Sequence, residues 1–276
     1  MASIERKPRV VPLEDRPVPE RRRARGAFIS HAVIVLGGIA AAVVLIVLID
    51  VFAPDWVRVM LLDRERATYP LTIQTCEWIA FGFGLGELVA RARDAREERA
   101  QLRAGLLPED ESTILHRPDL RRIYAATRQA LHASPREHFL PRLVQRIVLQ
   151  FQANRSVSEA NALLTSSLEL FQHEIDLRYT LIRYTIWVLP TLGFLGTVMG
   201  ISLALRYAGE ANPRDPALLH ELTKILAVKF DTTLVALSLS AILVLLQHLI
   251  QRYEESALNA VGQYTIDNLV NRLVED

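Results

Sequence analysis

Residues 183–207 read RYTIWVLPTLGFLGTVMGISLALRY, with no charged residue between Arg183 and Arg206. A helix needs about 20 apolar residues to cross the hydrocarbon of a bilayer, and this stretch supplies them. Three more runs have comparable length. Residues 27–53 carry no charge over 33–49, residues 226–250 carry charge only at Lys229 and Asp231, and residues 71–90 are interrupted by Glu77 and Glu87. The averages conceal this arrangement. Half of the 276 residues are hydrophobic, and mean hydropathy is only +0.18, values that an ordinary soluble domain also shows. Apolar and charged residues are instead segregated along the chain, which predicts an all-α integral membrane protein with four transmembrane helices.

Arginine placement orients the spans. Arg21, Arg22, Arg23 and Arg25 precede the first run, and Arg91, Arg93, Arg96, Arg99 and Arg103 follow the second. The connection 54–70 has only Arg58, Arg64 and Arg66, and that between the last two spans has Arg206, Arg214 and Lys224. Because basic residues accumulate on the cytoplasmic side, both termini and the long middle segment belong in the cytoplasm. The first run begins too far from the N-terminus, and is too long, for the h-region of a cleavable signal, so it is expected to remain as an anchor. The expected organisation is a disordered basic tail (1–26), spans one and two (27–90), a cytoplasmic helical region (91–155), a long helix with span three, outer loop and span four (156–250), and a cytoplasmic helical extension (251–276). The tail's arginines are placed to meet anionic lipid head groups.

Both later spans continue beyond the bilayer. Ser156 and Glu159 fit a capping box, and neither Pro nor Gly follows until Pro190. Leu163, Leu164, Leu168, Leu170, Phe171, Ile175 and Leu177 keep helical spacing, predicting a helix of about 50 residues, ~75 Å at 1.5 Å per residue. Leu258, Val261, Ile266, Leu269 and Leu273 extend span four in the same way.

The chemistry is expected on two small-residue faces. Gly196 and Gly200 form a GxxxG pair that lets another helix approach closely, and Gly193, Thr197 and Ala204 extend that face. In span four, Thr233, Ala236 and Ser240 share a face, preceded by Lys229, Asp231 and Thr232. The spans run in opposite directions. Counted from their midpoints, Thr197 lies ~4–5 Å outward and Thr233 ~6 Å outward at helical rise, so the two hydroxyls fall at one level. A lone membrane Thr bonds the carbonyl of the preceding turn. Two at matching depth suit a polar lining. Asp231 reads as an entrance carboxylate or as the ion-pair partner of Lys229 or Arg206, Glu77 as paired or lipid-facing, and Glu87 and Asp50 as interfacial. Trp56, Trp78 and Trp187 read as anchors or packing.

Other function classes are disfavoured. A single cysteine, Cys76, excludes an intrachain disulfide, and no HExxH or close His pair suggests a metal site. No nucleophile–base pair or phosphate loop is visible, so neither enzyme nor cofactor is expected. The N-terminal arginines lack the aromatic or folded support that nucleic-acid binding needs.

The stretch from Pro190 to Ile201, PTLGFLGTVMGI, resembles the P-x-L-G-x-L-G-T-V-x-G-I signature of the MotA/TolQ/ExbB proton-channel family, and 230–241 is similar to its second membrane motif. Ala236 stands where the family usually has Gly, and Asp231 and Lys229 are charged where it is apolar or small. The resemblance covers about residue 156 to the end. It implies a bacterial inner-membrane motor, in which a homo-oligomeric ring (five copies in known members) surrounds a single-span partner whose membrane Asp takes and releases the ion, similar to MotB, ExbD or TolR. Thr197, Thr233, Thr232, Asp231 and Ser240 are then the ion-pathway candidates, and Pro190, Gly193, Gly196, Gly200 and Ala236 the helix-packing positions. The competing expectation is an oligomeric membrane scaffold or sensor that moves no ions.

Overall fold

The protein, seen in a computed structural model, is described over residues 19–63, 69–110, 113–134, 136–212 and 216–274, without the side chains of 19–25 and 27. Among the described residues eight α-helices follow one another: α1 (Pro19–Phe52), α2 (Asp55–Leu62), α3 (Ile73–Gln101), α4 (Arg117–Ala133), α5 (Phe139–Asn154), α6 (Val157–Arg178), α7 (Thr180–Glu210) and α8 (Leu218–Asn268). The 3₁₀ turn Val270–Arg272 follows α8. Among the described residues there is no named strand, and three helical stretches are long and apolar enough to cross a membrane: Phe28–Phe52, Val157–Glu210 and Leu218–Arg272. The second expected span, within α3, is not one of the three.

α1 reaches back to Pro19, so it takes in the last residues of the segment expected to be disordered. Proline suits the first helical position, where its fixed φ is preorganised and its missing N–H is no loss. The rest of that expectation, residues 1–18, lies outside the described residues. α3 starts on a reciprocal cap, in which the Thr75 N–H donates to Thr72 Oγ1 (3.2 Å) and the Thr72 N–H to Thr75 Oγ1 (3.0 Å). At α6, the Ser156 oxygen accepts from the Glu159 N–H at 3.3 Å. The Glu159 carboxylate accepts from the side chains of Gln150 and Asn154.

The expected long helix exists as α6 and α7, separated only at Tyr179 within a 54-residue stretch. Its stripe differs in detail from the expected one. Ala160, Leu164, Ser167, Phe171 and Ile175 are buried, a strict three- and four-residue repeat, while Leu170 and Leu177 face outward. α4 packs on α5, and α5 packs against α6 and the C-terminal half of α8 around Leu143, Ile147, Phe171, Leu258 and Val261. The rings of Phe139 and Phe171 lie 4.9 Å apart there.

The apolar halves pack differently. α1 meets α3 through glycines: a Cβ on Gly82 would stand 2.5 Å from Ala42 Cβ, and one on Gly86 2.9 Å from Val35 Cα. α7 and α8 pair along their length, and α3 lies against both. A Cβ on Gly196 would meet Ile73 Cδ1 at 3.4 Å, and one on Gly84 would meet Leu243 Cδ1 at 2.9 Å and Thr185 Cγ2 at 3.4 Å. This register makes α3 antiparallel to α7 and parallel to α8.

Candidate functional site at the α7–α8 seam

The buried residues of α7 are Ile182, Thr185, Leu189, Gly193, Gly196, Gly200 and Ala204. Their spacing turns one face to α8. The expected packing residues do meet there. A Cβ on Gly193 would stand 2.6 Å from Ala236 Cβ and 3.1 Å from Thr233 Cα, and one on Gly196 would stand 2.7 Å from Thr232 Cγ2. Gly200 leaves room for the aliphatic stem of Lys229. Main chain therefore approaches main chain, and a side chain at Gly193 would have to move a backbone rather than a flexible tip.

At the edge of this contact the two threonines predicted to share a level come together. Thr197 Oγ1 and Thr233 Oγ1 are directly hydrogen-bonded. Thr197 also reaches the carbonyls of Gly193 (3.2 Å) and Lys229 (3.1 Å), and Thr233 Oγ1 reaches the Gly193 carbonyl at 3.0 Å. Both side chains are half-buried. The polar group in this apolar seam is thus a pair of hydroxyls leaning on carbonyls, with no fixed charge. Thr232, one position away, points to the other side of α8, where its methyl packs on Gly196 and its hydroxyl donates to the Val228 carbonyl (3.2 Å).

Ser240 is engaged with the proline. Pro190 has no N–H, so the carbonyl of Ile186, four residues earlier, loses its helical donor. The Ser240 hydroxyl donates to that carbonyl at 3.1 Å. The packing and ion-pathway candidates are therefore coupled at this point.

The charges differ from expectation. Lys229 does not pair with Asp231. Its Nζ donates to Asp63 Oδ2 at 2.5 Å, and both residues are buried. Asp63 closes α2 with its N–H on the Val59 carbonyl, which brings that short helix down onto α8. Asp231 is half-buried, without an ion-pair partner among the described residues. Glu87 is buried within the protein, bonded to His31 (3.0 Å) and near Arg91 (3.7 Å). Glu77 is neither paired nor lipid-facing. It is completely buried, and neither carboxylate oxygen has a hydrogen-bond partner.

Below the seam, Glu254 is buried and receives the Tyr179 hydroxyl at 2.9 Å and Arg178 Nη1 at 3.2 Å. A cavity of about 880 Å³ opens nearby, lined among others by His31, Arg91, Glu98, Arg136 and His138, and holding as many carboxylates as arginines. Burial, then the charges of Arg93, Arg91 and Arg178, pull the Arg136 guanidinium below the usual arginine range. Asp94 and Glu97 counter that charge directly. Among the described residues no cluster of His, Cys, Asp or Glu is arranged to hold a metal. The sequence reading missed Asp63, Gln74 and the α1–α3 glycines. The alternation Gly82, Gly84, Gly86 was the available signal for the last of these.

Residues 131–261 match the model of the MotA/TolQ/ExbB proton channel family. The match runs from the end of α4 through α8 as far as Val261, and contains both motifs and the threonine pair. No curated protein and no solved structure matches the chain.

Proposed function

We propose, from the match of residues 131–261 to the MotA/TolQ/ExbB proton channel family, that this chain is the proton-conducting subunit of a bacterial inner-membrane motor. In this reading α3 is the second of four spans, and both termini and residues 91–155 are cytoplasmic. Copies of the chain, five in all, ring a single-span partner that carries a membrane Asp. The family is one of channels, not of enzymes.

One observation carries the mechanism. Thr197 and Thr233 bring two hydroxyls together at one level of the α7–α8 pair, beside the small-residue contact of Gly193 and Ala236. A hydroxyl both donates and accepts, so the pair can re-bond from each other and their carbonyls to an ion or water without a fixed charge that would trap it. Proton movement then passes along the half-buried threonine edge to the partner's Asp, and the partner's displacement does the work. Asp231, unpaired near the outer end, supplies an entrance carboxylate that concentrates cations. Gly193, Gly196, Gly200 and Ala236 keep the two helices at main-chain distance.

The ring is supported by the opposite face of α6 and α7. Leu177, Tyr184, Trp187 and Phe194 are each at least 60% exposed there, and their spacing keeps them on one side. That face continues past the apolar span, where lipid would not cover it, so a second copy of the chain suits it.

The test is reconstitution in proteoliposomes with and without a single-span Asp-bearing partner. The chain alone should pass no current, and the complex should pass protons. Thr233→Ala should abolish flux and driven work while the oligomer still forms, since Thr197 keeps its two carbonyls. Undiminished flux in that variant would return the hydroxyls to a packing role, and with it the scaffold reading.

A further inference from the structure

α3 carries two polar side chains that the channel reading leaves unused. Gln74 and Glu77 are both 0% exposed, and none of their four terminal polar atoms has a hydrogen-bond partner among the described residues. Three residues apart on one helix, they share a face. Their place follows from the register of the neighbours. Ile73 Cδ1 and Thr232 Cγ2 converge over Gly196, while Gly84 rests on Leu243 and Thr185. Glu77 lies about one turn, ~6 Å, inward of Ile73, which sets it at the level of the Gly193–Ala236 contact. Thr232 lies on the α3 side of the seam and the Thr197–Thr233 pair on the other edge.

A carboxylate so enclosed, with no donor beside it, would be very costly to keep charged. A neutral carboxylic acid is not, and it gains a donor that it can offer to the Gln74 amide or to an enclosed water. The charged groups around it are few. Asp50 comes from α1, at the depth of Gln74 by the Gly82–Ala42 register. Asp63 of α2 is held by Lys229 of α8, and Asp231 stands more than a turn outward on α8. α7 has no charged residue between Arg183 and Arg206. Among the described residues, no cation is paired with Glu77 to hold it ionised.

We propose that Glu77, with the unpartnered amide of Gln74 on the same face of α3, is a proton-binding site inside the subunit, behind the threonine seam. The carboxylate takes up a proton to become the neutral acid and gives it back as the channel works. The proposal rests on the channel reading, and intramembrane ionisable groups with no structural partner are functional by default.

Infrared titration of the full chain in lipid vesicles tests it without a partner or an ion gradient. A carboxylic-acid carbonyl band should fade reversibly as pH is raised. It should be absent in Glu77→Gln, displaced in Glu77→Asp, and shifted in Gln74→Leu. A Glu77→Gln spectrum that superimposes on the parent's overturns the site. So does a Glu77 band that stays constant over the whole pH range in which the protein remains folded. If Glu77→Gln does not fold, Glu77→Asp and Gln74→Leu decide, since both keep the carboxyl, and an unmoved band in both is a negative result. In the partnered complex Glu77→Gln should lose proton flux and Glu77→Asp should retain it. A titrating Glu77 in a partnered complex that passes no protons would sink the channel reading alone, and flux with a silent Glu77 would sink this site alone.

Discussion

The same two helical rods are held together in two ways. In their apolar halves, α7 and α8 touch through Gly193, Gly196, Gly200 and Ala236, and the polar bonds are hydroxyl to hydroxyl and hydroxyl to carbonyl. In their charged halves, α6 and α8 are joined through Phe171, Leu164, Leu258 and Val261, with Arg178, Tyr179 and Glu254 at the junction. The solvent explains the difference. In lipid there is no gain from hiding one apolar side chain against another, so close contact and polar pairing must hold the helices. In water, bulky apolar burial does it, at ~25 cal/mol per Å².

Breaking the bulky half should have the largest effect. Phe171 is fully buried, stacked on Phe139 and beneath Arg142, so Phe171→Ala should destabilise by about 3–5 kcal/mol. Thermal unfolding in detergent would read it, and a change below about 1 kcal/mol would mean that the charged half is not a folded core. A matched pair of glycines then sharpens the contrast. Gly193→Ala drives a Cβ into Ala236 Cβ and toward Thr233 Cα, neither of which can swing away, and should cost about 1–3 kcal/mol. Gly262→Ala on the same rod meets the Leu168 side chain, Cδ1 at 2.8 Å and Cδ2 at 3.4 Å, a flexible group rather than backbone. Its gain of up to about 1 kcal/mol in helix propensity should leave stability unchanged or raised. Equal losses in both variants would mean that the two halves pack alike.

The membrane half was the more legible in sequence, because its determinants are local. Apolar run length exposes Phe28–Phe52, and glycine spacing exposes the buried face of α7. Residue counting alone put Thr197 and Thr233 at one depth, where they are found in contact. The Ser156 cap was readable for the same reason. What escaped is non-local. Lys229 lies two residues from Asp231 in sequence, yet its partner is Asp63, 166 residues away, at the C-terminal end of α2. Leu170 and Leu177 keep helical spacing but belong to the outer face, since a helix apolar nearly all round does not declare which stripe is core. Glu77 read as a lipid or pairing residue because nothing in 71–90 says which side of a glycine-rich helix faces α7 and α8.

The smallest expected effect separates packing from conduction at Ser240. Its hydroxyl stands in for the donor that Pro190 removes from the Ile186 carbonyl. Ser240→Ala should therefore cost only ~0.6 kcal/mol, the mean worth of a hydrogen bond between membrane helices. Pro190→Ala restores an N–H at that position, and in that background the Ser240→Ala loss should disappear. A double-mutant cycle on thermal stability would measure the coupling, with proton flux followed in the same four proteins. Coupling in stability with flux unchanged makes Ser240 part of the helix pair's repair. Additive stabilities, with flux lost wherever the hydroxyl is missing, would instead put Ser240 on the ion pathway and extend the hydroxyl lining about two turns, ~10 Å, inward of Thr233.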